Sequence, residues 1–172
     1  MRTLVLTVLA IGAVLLAVLL RPPAPKTRAE SVTGARLVRI PRHAISRIAL
    51  TLDRQQLTAT RTASGWAIDT HPTEPTLTAA LDDLATALAQ LRAVDQFRPA
   101  PQQAFGFDPP RGTIVVSSSR RETHLDLGAL TASATTLYAR RANDPRVFQI
   151  GTYLLAQLTR VIDRRAAAAP RS

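Results

Sequence analysis

The chain has 172 residues, with 22 Lys and Arg against 12 Asp and Glu, a formal net charge of +10 and no cysteine. The missing cysteine excludes both disulfides and a lipid carried on a thiol, and it leaves a zinc or iron site short of ligands. With seven aromatic residues in all, stacking platforms for single-stranded nucleic acid are scarce, and no nucleic-acid partner is expected.

Leu4 to Leu20 form a 17-residue apolar run behind Met1-Arg2-Thr3. At about 1.5 Å per residue the run spans roughly 25 Å, against a hydrocarbon core of about 30 Å. A cleavable signal peptide would share the positive start and the apolar middle but should end in small residues. Here the run ends Val18-Leu19-Leu20-Arg21-Pro22-Pro23. Residues 1–21 are therefore expected to be an uncleaved single-pass transmembrane anchor, followed at 22–35 by a proline-rich spacer that holds the domain off the bilayer. Arg21, Lys26 and Arg28 follow the run whereas Arg2 precedes it. That local count by itself favours a cytoplasmic C-terminal side.

Setting aside Arg2, Arg21, Lys26 and Arg28 leaves 18 basic residues against 12 acidic ones, spread along the chain and not gathered into a basic run. Residues 36–162 have the size of one domain with its own core. Ile48, Leu50 and Leu52 alternate with Ala49, Thr51 and Asp53; Leu57, Ala59 and Arg61 continue the alternation, and Trp66 and Ile68 follow a turn at Ser64-Gly65. Period two with short punctuation predicts a strand meander. Leu77, Leu81, Leu84, Leu88 and Leu91 then fall at spacings of 4, 3, 4 and 3, one apolar stripe of an amphipathic helix. A loop rich in proline, Arg98 to Pro110, leads to a second set of strands at Ile114–Val116, Leu125–Leu127, Leu137–Arg140 and Val147–Ile150. Leu154, Leu158 and Val161 restore helical spacing before a basic, Ala-rich tail at 163–172. The expected fold is α+β: two antiparallel strand meanders each followed by a helix, preceded by one transmembrane helix. Leu57-x-Ala59-x-Arg61 and Leu137-x-Ala139-x-Arg141 hint at two related halves.

Chemistry is harder to find. His43, His71 and His124 are far apart, with Asp126 alone at ligand spacing from one of them. Adjacent Asp82 and Asp83 point about 100° apart on a helix, which suits solvation better than paired acid and base. Ser117, Ser118 and Ser119 lack a nucleophile elbow, and no Gly-rich phosphate loop is present. No catalytic residue, metal ligand or cofactor is assigned. Trp66 reads as a core anchor, Gly106 and Gly128 as chain reversals with positive φ, and Pro109-Pro110 as an extended lead into the next strand. Arg140, Arg141, Arg160, Arg164 and Arg165 are the candidate anion-binding residues.

The series Gly65-Trp66-Ala67-Ile68, Pro72, Phe105-Gly106-Phe107-Asp108-Pro109-Pro110, Leu125-Asp126-Leu127-Gly128, Tyr138-Ala139-Arg140 and Val147-Phe148 resembles the bacterial family called domain of unknown function 4340, over roughly Ile45 to Leu158. The resemblance marks Trp66, Pro72, Gly106, Asp108, Pro110, Gly128 and Tyr138 as structural positions. The family pattern has leucine at 107 and often tyrosine at 148, so this chain's phenylalanines are conservative departures. The resemblance implies a membrane-anchored protein facing the envelope, on the periplasmic or outer side of the bacterial cytoplasmic membrane, and associated with auxiliary parts of ABC-type transport systems. The expected function is thus non-catalytic: an accessory or scaffold subunit with a protein partner in a membrane complex. The alternative is a basic module for an anionic envelope polymer or lipid headgroups. Oligomeric state is not legible.

Overall fold

Alternate burial builds the first half of the fold. In the structure, a computed structural model that describes residues 34–69, 71–99 and 104–168, strand β1 (Arg47–Leu52) buries Ile48, Leu50 and Leu52, and β2 (Gln55–Thr62) buries Leu57 and Ala59. Between them Asp53 and Arg54 both take positive φ, 47° and 70°. A two-residue turn of that kind matches the twist of the strands it joins. β3 (Gly65–Ile68) and the two-residue β4 (His71–Pro72) complete the meander, and helix α1 (Pro75–Ala89) follows with Pro75 in its first turn. Leu77, Leu81, Leu84 and Leu88 are its buried stripe, as their spacing predicts, with Ala80 and Ala85 alongside.

After the short β5 (Asp95–Phe97), the second half repeats the plan: β6 (Gly112–Ser117), β7 (Glu122–Leu130), β8 (Thr136–Arg141), β9 (Val147–Gly151) and helix α2 (Tyr153–Ala168). The nine strands among the described residues all belong to one antiparallel sheet in the order β4-β3-β2-β1-β6-β7-β8-β9-β5. The order reads outward from β1 and β6 as two copies of one meander, with β5 added at the far edge. The two halves are real, but they equate β2 with β7, whereas the short likeness at Leu57 and Leu137 falls on β2 and β8. α1 packs on α2. Their apolar faces and the buried side of the sheet share a single core containing Trp66, Ile48, Ile114, Leu125, Phe148 and Val161.

Neither described helix is long and apolar enough to cross a membrane; the anchor expected at 1–21 lies outside the described residues. α2 continues four residues beyond Asp163–Arg164, to Ala168, so the start of the expected basic tail is helical. Arg165 donates to the carbonyl of Gln56 and lies 3.6 Å from Asp69, which ties the end of α2 to the first meander.

Asp82 departs from the expectation of a solvated residue. Its Oδ1 accepts from the Trp66 indole N–H at 3.1 Å and from Arg61 Nη2 at 3.0 Å, with Arg42 at 3.6 Å. The Arg61 guanidinium in turn lies 4.4 Å from the centre of the Trp66 ring. A buried tryptophan needs a partner for its N–H, and Asp82 is that partner. Asp83, one residue on, is exposed and sits 3.9 Å from Arg160 of α2. Trp66→Ala would empty the largest buried side chain of the core and leave Asp82 without one of its donors. We expect a loss of about 3–5 kcal/mol in stability, read from chemical denaturation of the folded chain. An unchanged denaturation midpoint would place the indole outside the core.

Candidate functional site

Both helices lie on one face of the sheet; the other face carries the site. Registered neighbours in a sheet point the same way, so Thr113, Asp126 and Arg140 share this second face, as do Tyr138, Gln149 and Asp95. Residues 104–110 lie across it. The amide of Ala129 donates to the Phe105 carbonyl at 2.8 Å. Gly128 sits inside β7, and a Cβ built there would come 2.2 Å from the Phe105 oxygen and 2.9 Å from the Phe107 ring. Its need for glycine is therefore close approach, not positive φ. Gly106 does have positive φ, 73°, and also lies against the Ala129 backbone. Phe107 bridges back to Pro110, so the segment turns tightly where Pro109-Pro110 suggests an extended lead.

The seated segment completes a cluster of four half-buried rings. Phe105 meets Tyr138 edge-on at 4.9 Å between ring centres and Phe97 at 5.5 Å, while Phe107 stands 6.4 Å from Phe105. The Arg140 guanidinium lies 4.9 Å over Phe107 and is tied to Asp126 at 2.8 Å. Beside the rings opens a groove of about 570 Å³, walled by Pro99, Phe105, Phe107, Pro145 and Val147 and rimmed by Arg140 and Arg146.

Asp144 fixes that rim. It accepts from Arg146 Nε at 2.8 Å, Arg146 Nη2 at 2.7 Å and the Arg146 amide at 3.1 Å, and from Arg141 Nη2 at 2.6 Å. These bonds, led by that from the Arg146 side chain, outweigh burial and hold the Asp144 carboxyl well below the usual carboxylate range. Arg146 is raised correspondingly by the same partner, and it also donates to Gln96 at 3.2 Å and lies 5.3 Å over Phe148.

The predicted positions divide between several places. Tyr138, Gly106, Asp108 and Gly128 meet at the groove or under it, with Pro110 at its end. Trp66 belongs to the core of the first half, and Pro72 pairs with Ala67 at the sheet edge. The candidate anion-binding arginines do not all converge. Arg140 faces the groove, Arg141 is held by Asp144 and Arg165 by Asp69, while Arg160, 3.9 Å from Asp83, and Arg164 line one open concavity on α2 together with Asp163. His124 pairs with Glu122 at 2.6 Å and not with Asp126; His71 Nδ1 lies 2.8 Å from the Asp69 carbonyl, and His43 is exposed on a 3-10 turn. Asp144 and Arg146 were not singled out by sequence. Their signal is the charge alternation about Pro145, which is too short to distinguish from an ordinary turn.

A family model described as Domain of unknown function (DUF4340) matches residues 66–166, from β3 into α2, a span that contains every residue of the groove. No curated protein and no solved structure matches the chain. The Asp144 clamp makes a pH-dependent prediction. A carboxyl held below its ordinary value near about 4 stabilises the fold fully above that value and loses this contribution as pH falls through the folded-state value. Asp144→Asn should lower the melting temperature at neutral pH, and the difference from wild type should shrink steadily below about pH 4. A difference that stays constant in thermal melts down to about pH 2.5 would mean that the carboxylate's charge is not what stabilises the turn.

Proposed function

The chain belongs to the family described as Domain of unknown function (DUF4340), and on that premise we propose that it is a non-catalytic accessory or scaffold subunit of an envelope membrane complex. The class of complex suggested by the family resemblance is an ABC-type transport assembly. In this reading residues 1–21 anchor the chain in the cytoplasmic membrane, the domain stands on the periplasmic side, and the groove beside Phe105 and Phe107 docks a protein partner.

The observation that carries this reading is the chemistry of the groove: aromatic and proline walls, with arginines whose charge is already matched by Asp126 and Asp144. Protein interfaces concentrate their binding energy in such aromatic and arginine positions, sheltered by a polar rim. A site built for a polyanion would instead gather unmatched positive charge. Of the five arginines first considered for that role, four have a carboxylate within 4 Å and they occupy separate parts of the surface.

The test is capture of partners from membranes by the full chain in neutral detergent, at low and high salt, with wild type and with Ala104→Trp. Ala104 is exposed and lines the groove, so the substitution fills the groove without removing a packed side chain. The expected result is one membrane protein retained stoichiometrically at both salt concentrations and lost on Ala104→Trp at unchanged melting temperature. Capture that is abolished by salt and by Arg160→Gln/Arg164→Gln, and is indifferent to Ala104→Trp, would replace the scaffold with the anion-binding module.

A further inference from the structure

A second concavity lies at the opposite end of β7 from Gly128. β7 outruns β8 there: their pairing starts at Leu125↔Arg141, so Glu122, Thr123 and His124 project beyond it, met by one bond from the Ala142 amide to the His124 carbonyl at 3.1 Å. The chain ahead of β1 closes the other side, with Leu37 and Ile40 buried in the core. Between them is a pocket of about 300 Å³ whose lining includes Arg39, Arg121, Arg141, His124 and Asn143.

Three arginines from three distant segments thus line one small pocket. Among the described residues neither Arg39 nor Arg121 has a carboxylate within salt-bridge distance; Arg141 is held by Asp144. The one carboxylate in the lining, Glu122, is engaged by His124 at 2.6 Å and by the Ser117 hydroxyl at 2.8 Å. Arg121 is also presented by a formed turn, since Ser118 Oγ accepts its amide at 3.1 Å and the Ser118 amide donates to its carbonyl at 2.8 Å. Unmatched positive charge in a concave site favours an anion, and several planar forks of N–H donors favour an oxyanion with several oxygens over a single point charge.

We infer that this pocket is a phosphate site, in which Arg39 and Arg121 bind the oxygens of a phosphate or phosphate ester and Arg141, already fixed by Asp144, supplies the third guanidinium. The inference does not rest on the docking groove; of the five candidate arginines read from the sequence it keeps Arg141 alone, and it adds Arg39 and Arg121. Phosphate chemistry has two sources at a membrane surface, a lipid headgroup and a soluble phosphate.

The experiment follows the backbone amide resonance of His124, a residue that lines the pocket, in the full chain in neutral detergent. Inorganic phosphate is titrated first, then short-chain phosphatidylglycerol below its micellar concentration. We expect a saturable shift of His124. Charge-assisted bonds are individually strong enough that Arg39→Gln/Arg121→Gln should weaken binding by at least about tenfold. Both side chains are exposed, so the melting temperature should stay the same, and Arg160→Gln/Arg164→Gln should bind as wild type does. Saturation by the lipid in competition with phosphate assigns the site to a headgroup; saturation by inorganic phosphate alone assigns it to soluble phosphate. A shift that does not saturate with either probe, or that persists at equal strength in Arg39→Gln/Arg121→Gln, overturns the assignment.

Discussion

The pairing of β1 with β6 is the contact on which the remainder of the architecture depends. It runs over six residues, from Arg47↔Ser117 to Leu52↔Gly112, and joins positions 60 to 70 apart in the chain. Because registered neighbours across this seam face the same side, the meander that contains β1 and the meander that contains β6 turn their apolar residues to one face: Ile48 sits beside Val116 and Leu50 beside Ile114. Both helices must then cover that one side, where they pack on each other. Close approach is built into the seam, since a Cβ on Gly112 would come 2.6 Å from the Thr51 carbonyl oxygen. Bringing such distant segments together carries a loop-closure cost that grows slowly with length, so a long connection is tolerable once the apolar face it creates is buried.

The functional reading follows from this one-sidedness. A sheet covered by helices on one face alone leaves the other for whatever the loops can build. Residues 104–110, ahead of β6, are seated there by Gly128 and by the amide of Ala129. The two halves also share an electrostatic device. In the first, Asp82 binds Arg61, whose guanidinium covers Trp66; in the second, Asp144 binds Arg146, whose guanidinium covers Phe148. Each carboxylate neutralises an arginine that spreads over an aromatic ring, so a basic chain presents less free charge than its composition suggests. The pocket lined by Arg39 and Arg121 is one place where that neutralisation is incomplete.

Much of the scaffold is legible in the sequence because burial on one face imposes a period. Ile48-Leu50-Leu52 and the Leu77–Leu88 stripe mark a strand and a helix without reference to their partners. β4 and β5 escape this reading, since two residues containing a proline and three residues reading Asp-Gln-Phe are too short to show a period. Gly128 shows the limit differently: its importance is visible in the motif, but its reason, the ring and carbonyl pressed against it, comes from a segment more than twenty positions away. Asp82 looks solvated until the fold brings Trp66 to it. The arginines at 39, 121 and 141 have no spacing that could connect them before the sheet is assembled. The apolar run at Leu4 to Leu20 keeps its meaning as a sequence-based expectation, outside the described residues.

Hydrogen exchange of the native protein, followed residue by residue, tests the seam most directly. Amides in the deepest elements of a cooperative domain exchange only through global unfolding, whereas independent units exchange at their own rates. If the β1–β6 pairing unites the halves, the slowest amides of β1, β2, β6 and β7 should exchange with one common free energy equal to that of global unfolding. Should β1 to β3 exchange together through a distinctly lower-energy opening while β6 to β9 remain protected, the two meanders would be separate units, and the account built on a single one-sided sheet would be wrong.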